Sequence, residues 1–328
     1  MRKISFTALA VLIGLTIQIT ACGVLCEDGD DYNLNTLRQK ALQANFDHEH
    51  ESIVPLTMVY VPGGSFQMGD VKNEGLDNEG LDGEKPVHTV TLTGFYIGKY
   101  QVTQAQYQAV MGNNPSYFNL RSRPTSGEVQ GNRPVEQVSW YDVIVFCNKL
   151  SIKENLSPAY RISGSTNPSA WGSVPTYWDN PNRTTWDAVE IVSGSTGYRL
   201  PTEAQWEYAA KGGNGSSGNY TYSGSNNVDA VAWYSGNSNR KTHEVGNKQA
   251  NGLGIYDMSG NVWEWCWDWY SDYTSGTQTN PAGPNSGSDR VLRGGNWIYS
   301  AEFVRSAYRD YIVPIGRSSG IGFRLARP

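Results

Sequence analysis

The sequence predicts an α+β fold of irregular type, with short elements strung on long loops around an aromatic core. Three observations predict it. Gly (36), Trp (11) and Tyr (20) are abundant while hydrophobic residues make up only 38% of the chain, a balance that suits neither long helices nor a regular sheet stack. Only three stretches carry helix start signals. The connections at 113–134, 154–197 and 214–250 are long and rich in Ser, Asn, Pro and Gly, and their number makes irregularity a property of the fold itself.

Residues 1–21 read as a signal peptide: Arg2 and Lys3 precede a short apolar run over residues 8–19. Ile19-Thr20-Ala21-Cys22 follows and resembles a bacterial lipobox, which implies cleavage before Cys22 and lipidation of that residue. Residues 22–52 are polar and acidic, a tether or a disordered leader with a short helical patch near 34–44. The domain then occupies 53–328. Its formal net charge (the whole chain carries −5) lacks the basic stripe expected for nucleic acid. Besides Cys22 there are Cys26, Cys147 and Cys266, an odd set that builds no disulfide framework. Cys147 in VIVFC and Cys266 between tryptophans read as buried small hydrophobes.

MVYVPGGSFQMG (58–69) reads as strand, turn, strand, and VHTVTLTGFYI (87–97) as one alternating strand. Between them, 71–85 is an acidic Gly-rich loop, open to calcium but better read as solvated. Thr103 with Gln106 makes a capping box for a helix ending at Gly112. Ser139 caps a second helix with Asp142 in its first turn, and Thr202 a third that stops at Gly212-Gly213.

GLGIYDMSGNVWEWCWDWY (252–270) sets Asp257 and Glu264 about a Ser-Gly-Asn turn, where carboxylates and carbonyls could converge on a hard cation or simply close a hydrogen-bonded turn. Trp263, Trp265, Trp267 and Trp269 alternate as one core face would. In the last segment, 290–327, RVLRGGNW needs a backbone bend at Gly294-Gly295, and GFRLAR alternates as a half-buried strand. Between those ends Tyr, Ile, Phe and Val mix with Ser, Gly and Asp in no period. Such a mixture suits either a Tyr-rich core loop or a binding surface of rigid aromatics among adaptable polar residues.

MVYVPGGSFQMG, KYQVTQAQY, RPVEQVSWYDVIVFCNKLS, YRLPTEAQWEYAAKGG, GLGIYDMSGNVWEW, RVLRGGNW and GFRLAR stand in the order seen in formylglycine-generating enzymes, the sulfatase-modifying factors. The chain resembles that family over about 57–327, which implies an irregular C-type-lectin-like fold. The enzymes hold copper(I) with two cysteines after the RGGS-like motif, and a soft ion of that kind needs thiolates. Here Tyr299 stands near the first such position and no cysteine occurs in 290–328, so the resemblance implies the scaffold without the enzyme and without copper.

The chain is similar, more narrowly, to variable lipoproteins diversified by bacterial retroelements. That resemblance implies a diversified, ligand-binding set of Ile298, Tyr299, Ser300, Phe303, Val304, Tyr308, Asp310, Tyr311, Ile312, Val313, Ile315, Gly316, Ser318, Ser319 and Gly320, with Asn296, Glu302 and Ile321 as further members to consider. Gly294-Gly295, Trp297, Arg305, Pro314 and Phe323 would anchor the backbone. The resemblance also implies a structural calcium ion at Asp257, Gly260, Val262 and Glu264, the first and last through carboxylates, the middle two through carbonyls. The expectation is a monomeric lipoprotein of the cell envelope, anchored on the outer surface, that binds a protein ligand, one on another cell included. An active formylglycine-type oxidase and a calcium-dependent glycan-binding lectin are the alternatives.

Overall fold

A computed structural model describes residues 55–74, 83–119, 122–214 and 219–328, with the backbone of a two-residue pairing between Val11–Leu12 and Leu15–Thr16. The signal peptide, Cys22, the tether and the middle of the acidic loop (75–82) lie otherwise outside the described residues.

β1 (Met58–Val61) and β2 (Gly64–Met68) flank the expected turn, yet they do not pair with each other. The stretch expected as one strand over 87–97 is two, β3 (His88–Leu92) and β4 (Phe95–Gly98), divided at Thr93-Gly94. β1 pairs with β4 and β2 with β3, so both breaks are corners at which the chain passes from one sheet to another. The C-terminal strand β9 (Ala326–Arg327) completes the β1–β4 sheet.

The three expected helices start where local chemistry places them, and two shorter ones, Arg183–Asp187 and Val228–Val231, were not expected. Thr103 caps α1 (Gln104–Met111) in a capping box with Gln106, and Gly112 ends it at φ +82°. Ser139 and Asp142 form the same device on α2 (Trp140–Lys153), and Thr202 with Gln205 on α3 (Glu203–Ala210).

The central sheet has the order β7 (Arg309–Ile312), β6 (Arg290–Arg293), β5 (Trp263–Trp269), β8 (Ile321–Gly322). β5 runs antiparallel to β6 and parallel to β8. Both faces of this sheet are covered. Trp265 and Leu292 join the cluster around α2, while Cys266 and Val291 join the cluster of α3 and β1–β4. The tryptophans are therefore half of a strand buried on both sides, and Cys147 and Cys266 are wholly buried as expected. Buried indoles keep partners: Trp265 Nε1 donates to Val138 O at 3.0 Å and Trp140 Nε1 to Cys266 O at 2.9 Å. The half-buried strand expected at GFRLAR is a correction. Residues 323–325 lie in neither sheet, and Arg324 is fully buried rather than facing solvent.

Trp265→Ala should cost about 3–5 kcal/mol, the range for truncating a buried aromatic. Urea unfolding monitored by near-UV circular dichroism checks it, with Trp265→Phe losing clearly less.

Candidate functional site

Arginines peg the segment 290–327 to the body. Arg293 donates to the Glu207 carboxylate and to the carbonyls of Ser306, Ala307 and Tyr308, so one guanidinium holds a whole loop from beneath. Arg305 forks onto Glu84 at 2.6 and 2.9 Å. Arg309 forks onto Glu203 at 2.6 and 2.8 Å and also reaches Gly83 O. Arg317 meets Asp142, which closes the capping box of α2 with Ser139, at 2.7 Å. Arg290 lies between the rings of Trp140 and Trp269, 3.7 and 3.4 Å from their centroids. Burial works against the charge on Arg309, but the Glu203 carboxylate outweighs it and holds the guanidinium above its usual value. Burial also opposes the charge on Glu203, and Arg309 and Arg293 overcome that, keeping its carboxyl below the usual range. Sequence reasoning found Arg305 alone; the signal it passed over was the seven arginines spread through residues 290–327 of a chain whose net charge is negative.

The fifteen residues implied as a binding set divide by exposure. Ile298, Tyr299 and Tyr311 are exposed, at 48%, 38% and 51%. Ser300, Phe303, Tyr308, Asp310, Ile312, Val313, Ile315, Gly316, Ser318 and Ser319 are half-buried, as is Glu302. Val304 and Gly320 are buried and offer no side chain to a ligand, which corrects their inclusion; Asn296 and Ile321 are buried too. The cause is close packing on the glycine bend. Gly295 has φ +70°, and a Cβ there would stand 2.5 Å from Val304 Cγ1. Gly320 sits against Asn296 Nδ2, which donates to its carbonyl, and that carbonyl also accepts Trp263 N–H at 2.8 Å. The backbone anchors Gly294, Gly295, Trp297, Arg305, Pro314 and Phe323 are all buried.

Tyr299, where the first thiol of the enzymes was expected, packs edge-on to Trp263 and Phe303, with centroids 5.8 and 5.2 Å apart. Tyr308 completes this cluster, 5.9 Å from Trp263 and 5.0 Å from Phe303. Burial pushes the Tyr308 hydroxyl up to about 12. Tyr311 leans on Tyr270 at 4.2 Å. Burial raises the Asp310 carboxyl, against the Tyr311 N–H that it accepts.

The turn that leads into β5 brings Asp257, Gly260, Val262 and Glu264 together, but around a side chain. Gln101 Nε2 lies 3.2 Å from Asp257 O, 3.2 Å from Gly260 O, 3.0 Å from Val262 O and 3.0 Å from Glu264 Oε1. Asp257 contributes its backbone carbonyl, while its carboxylate accepts Gly246 N–H at 2.7 Å. Glu264 accepts both arms of Arg324, at 2.6 and 2.7 Å, and Trp206 Nε1 at 2.7 Å. Calcium takes roughly six to eight oxygens at about 2.3–2.6 Å. Four oxygens spaced around an amide nitrogen, with the one carboxylate already paired, do not fit that ion. The expectation of an Asp257 carboxylate ligand is therefore corrected.

An irregular α/β body with few helices and a thiol-free, arginine-pegged C-terminal segment defines a C-type-lectin-like scaffold of the formylglycine-generating type. Residues 44–328 match the sulfatase-modifying factor enzyme 1-like domain, and the chain belongs to that family. It is 44% identical over 255 residues to the chaperone protein LppX of Paenibacillus barcinonensis, covering 73% of this chain and 81% of that one. The solved structure of Treponema denticola variable protein 1 (TvpA) matches at 44% identity with a TM-score of 0.72, covering 84% of this chain and 96% of that one. The formylglycine-generating enzyme of Streptomyces coelicolor is 30% identical over 293 residues, covering 82% and 88%. Likeness to the variable protein and the chaperone thus exceeds likeness to this enzyme.

Beneath the segment, Asp268 accepts Glu203 N–H at 2.8 Å at the start of α3. Burial and the neighbouring Glu203 charge push its carboxyl up to about 7, against the pull of Arg309 and Arg290. A carboxyl raised in the fold binds its proton more tightly folded than unfolded. Its stabilising contribution is complete below the unfolded value near 4 and is lost as pH rises through about 7. Asp268→Asn should therefore change stability little at pH 5 but raise it by on the order of 1 kcal/mol at pH 8, where the charge is removed. Guanidinium titrations at the two pH values check the difference.

Proposed function

We propose that this chain is a lipid-anchored protein of the outer cell surface that binds a protein ligand through side chains of residues 298–320, a set diversified by a retroelement. The observation that carries the reading is the division of labour along 290–327. Arg, Gly, Trp and Pro are buried as pegs, while Ile298, Tyr299 and Tyr311 stand exposed between them. Exposed aromatic and apolar side chains on a pegged backbone supply contact groups that a ligand can cover. Tyrosine gives contact area at low entropic cost, and the half-buried Gly316, Ser318 and Ser319 adapt around it. Pegging the backbone lowers the ordering cost of binding, so exchanged side chains can gain affinity without refolding.

The non-catalytic reading has independent support. The copper(I) chemistry of the enzymes needs thiolates, and the segment 290–328 has none. Cys147 and Cys266 lie buried in the core, where burial pushes both thiols upward and away from the thiolate form. A lectin reading rests on the fold's resemblance alone, and fold does not assign function. The relatives named a variable protein and a chaperone are both compatible with binding another polypeptide. The lipobox at Cys22 supports the anchor.

Sequences of this locus from sister isolates test the diversification: differences should gather at the exposed and half-buried positions of 298–320 and spare Gly295, Trp297, Arg305, Arg309 and Pro314. Differences spread evenly over the domain would refute it. A ligand selected by panning on the wild-type domain should bind a combined Ile298→Ala, Tyr299→Ala, Tyr311→Ala variant at least about tenfold more weakly. The melting temperature should fall by only about 5 °C, since aromatic contacts to Trp263, Phe303 and Tyr270 are lost but no wholly buried side chain is. Unfolding of that variant would show the three side chains to be core.

A further inference from the structure

We propose that the Gln101 side-chain amide is a built-in substitute for a metal ion, so that the turn at 257–264 is held without calcium. Four acceptor oxygens from one turn converge on a single amide nitrogen, at 3.0–3.2 Å. Three of them are backbone carbonyls made convergent by left-handed geometry at Asp257, Gly260 and Asn261 (φ +56°, +80° and +64°). Such a ring of oxygens repels itself unless something positive or donating sits at its centre. Here the amide supplies two N–H donors. The one formal charge in the ring, on Glu264, is balanced by the wholly buried Arg324. The ring therefore needs no further positive charge.

The orientation of the amide bears on this. Gln101 Oε1 is buried and has no hydrogen-bond partner among the described residues. Turning the amide over would satisfy neither end: Oε1 would face four oxygens, and Nε2 would leave its acceptors. Only a cation between them would make that arrangement stable. The side chain thus replaces an ion when its nitrogen points inward and would bind one only when reversed. Gln101 follows β4 and precedes α1, so the substitution also ties the N-terminal strands to the turn that leads into β5.

The test compares the purified wild-type chain with Gln101→Glu and Gln101→Leu, each dialysed against EDTA and then titrated with calcium chloride, reading melting temperature and bound calcium by elemental analysis. The wild type should carry no stoichiometric calcium and melt at the same temperature in both buffers. Gln101→Glu sets a carboxylate against the ring; it should melt roughly 5 °C or more lower in EDTA and recover with calcium. Gln101→Leu should be destabilised and indifferent to calcium. A wild-type chain that holds one calcium ion and loses melting temperature in EDTA would overturn the proposal, as would a Gln101→Glu chain that folds yet ignores calcium. Should Gln101→Glu not fold in EDTA, the wild-type measurements decide alone.

Discussion

The pairing of buried arginines with buried carboxylates is the constraint on which the rest of this structure depends. Arg293 and Glu207, Arg309 and Glu203, Arg305 and Glu84, and Arg324 and Glu264 each join the C-terminal segment to an element far away in sequence. Removing one partner of such a pair strands a charge in low dielectric, at a cost of about 3–5 kcal/mol. An apolar core of equal volume could be as stable, so stability alone does not account for charge here. What the guanidinium adds is direction. It has five donors in a fixed fork, and Arg293 spends three contacts on consecutive backbone carbonyls, a task that no aliphatic side chain can do. The loop is therefore positioned in part through its backbone, without calling on the exposed side chains of Ile298, Tyr299 and Tyr311 for that hold.

The same economy explains the central sheet. β5 and β6 are buried on both faces, so each alternate residue serves a different cluster, and Glu264 and Asp268 occur among tryptophans without facing water. Each of these acids is satisfied by a group from another part of the chain: Arg324 and Trp206 for Glu264, the first amide of α3 for Asp268. Networks of this kind specify one arrangement because a half-satisfied version is worse than none. They let a fold with few regular elements keep a single shape.

What could be read from the sequence follows the range of the forces involved. Capping boxes at Thr103, Ser139 and Thr202 are decided within four residues, and all three helices start where those residues predict. The two strands expected over 58–69 are present, but their partners, set by contacts about thirty residues away, could not be read from the sequence. GFRLAR has the alternation of a half-buried strand, but Arg324 is drawn inward by a glutamate sixty positions earlier. The convergence at 257–264 was legible as a turn of oxygens. Its occupant was not, because Gln101 is distant in the chain and because spacing does not reveal whether Asp257 turns in its carboxylate or its carbonyl. In the binding segment, residue type separated most exposed positions from most anchors. Val304 and Gly320 escaped because their burial is set by contact with Gly295 and Asn296, which only the folded bend brings close.

A surface that must change while its support does not puts opposite demands on one stretch of chain. Regular elements meet such demands poorly: in a strand every second side chain is committed to a face, and in a helix neighbours at three and four positions are coupled. An irregular segment has no such period. Outside β7, whose Arg309–Ile312 are laddered to β6, its backbone must then be fixed by something other than a repeating hydrogen-bond ladder. In 290–327 that fixing comes from arginine forks, the Gly294-Gly295 bend and the Trp297 indole, which donates to Ser319 O at 3.0 Å across the base of the loop. Tyr299 shows how far this frees a position. Its ring is half in contact with Trp263 and Phe303 and half in solvent, its backbone is held by Asn296 O and Ser235 N, and neither hold uses the side chain. Irregularity is thus a means of uncoupling side chain from scaffold, and the buried charges are what make the irregular backbone rigid enough to use.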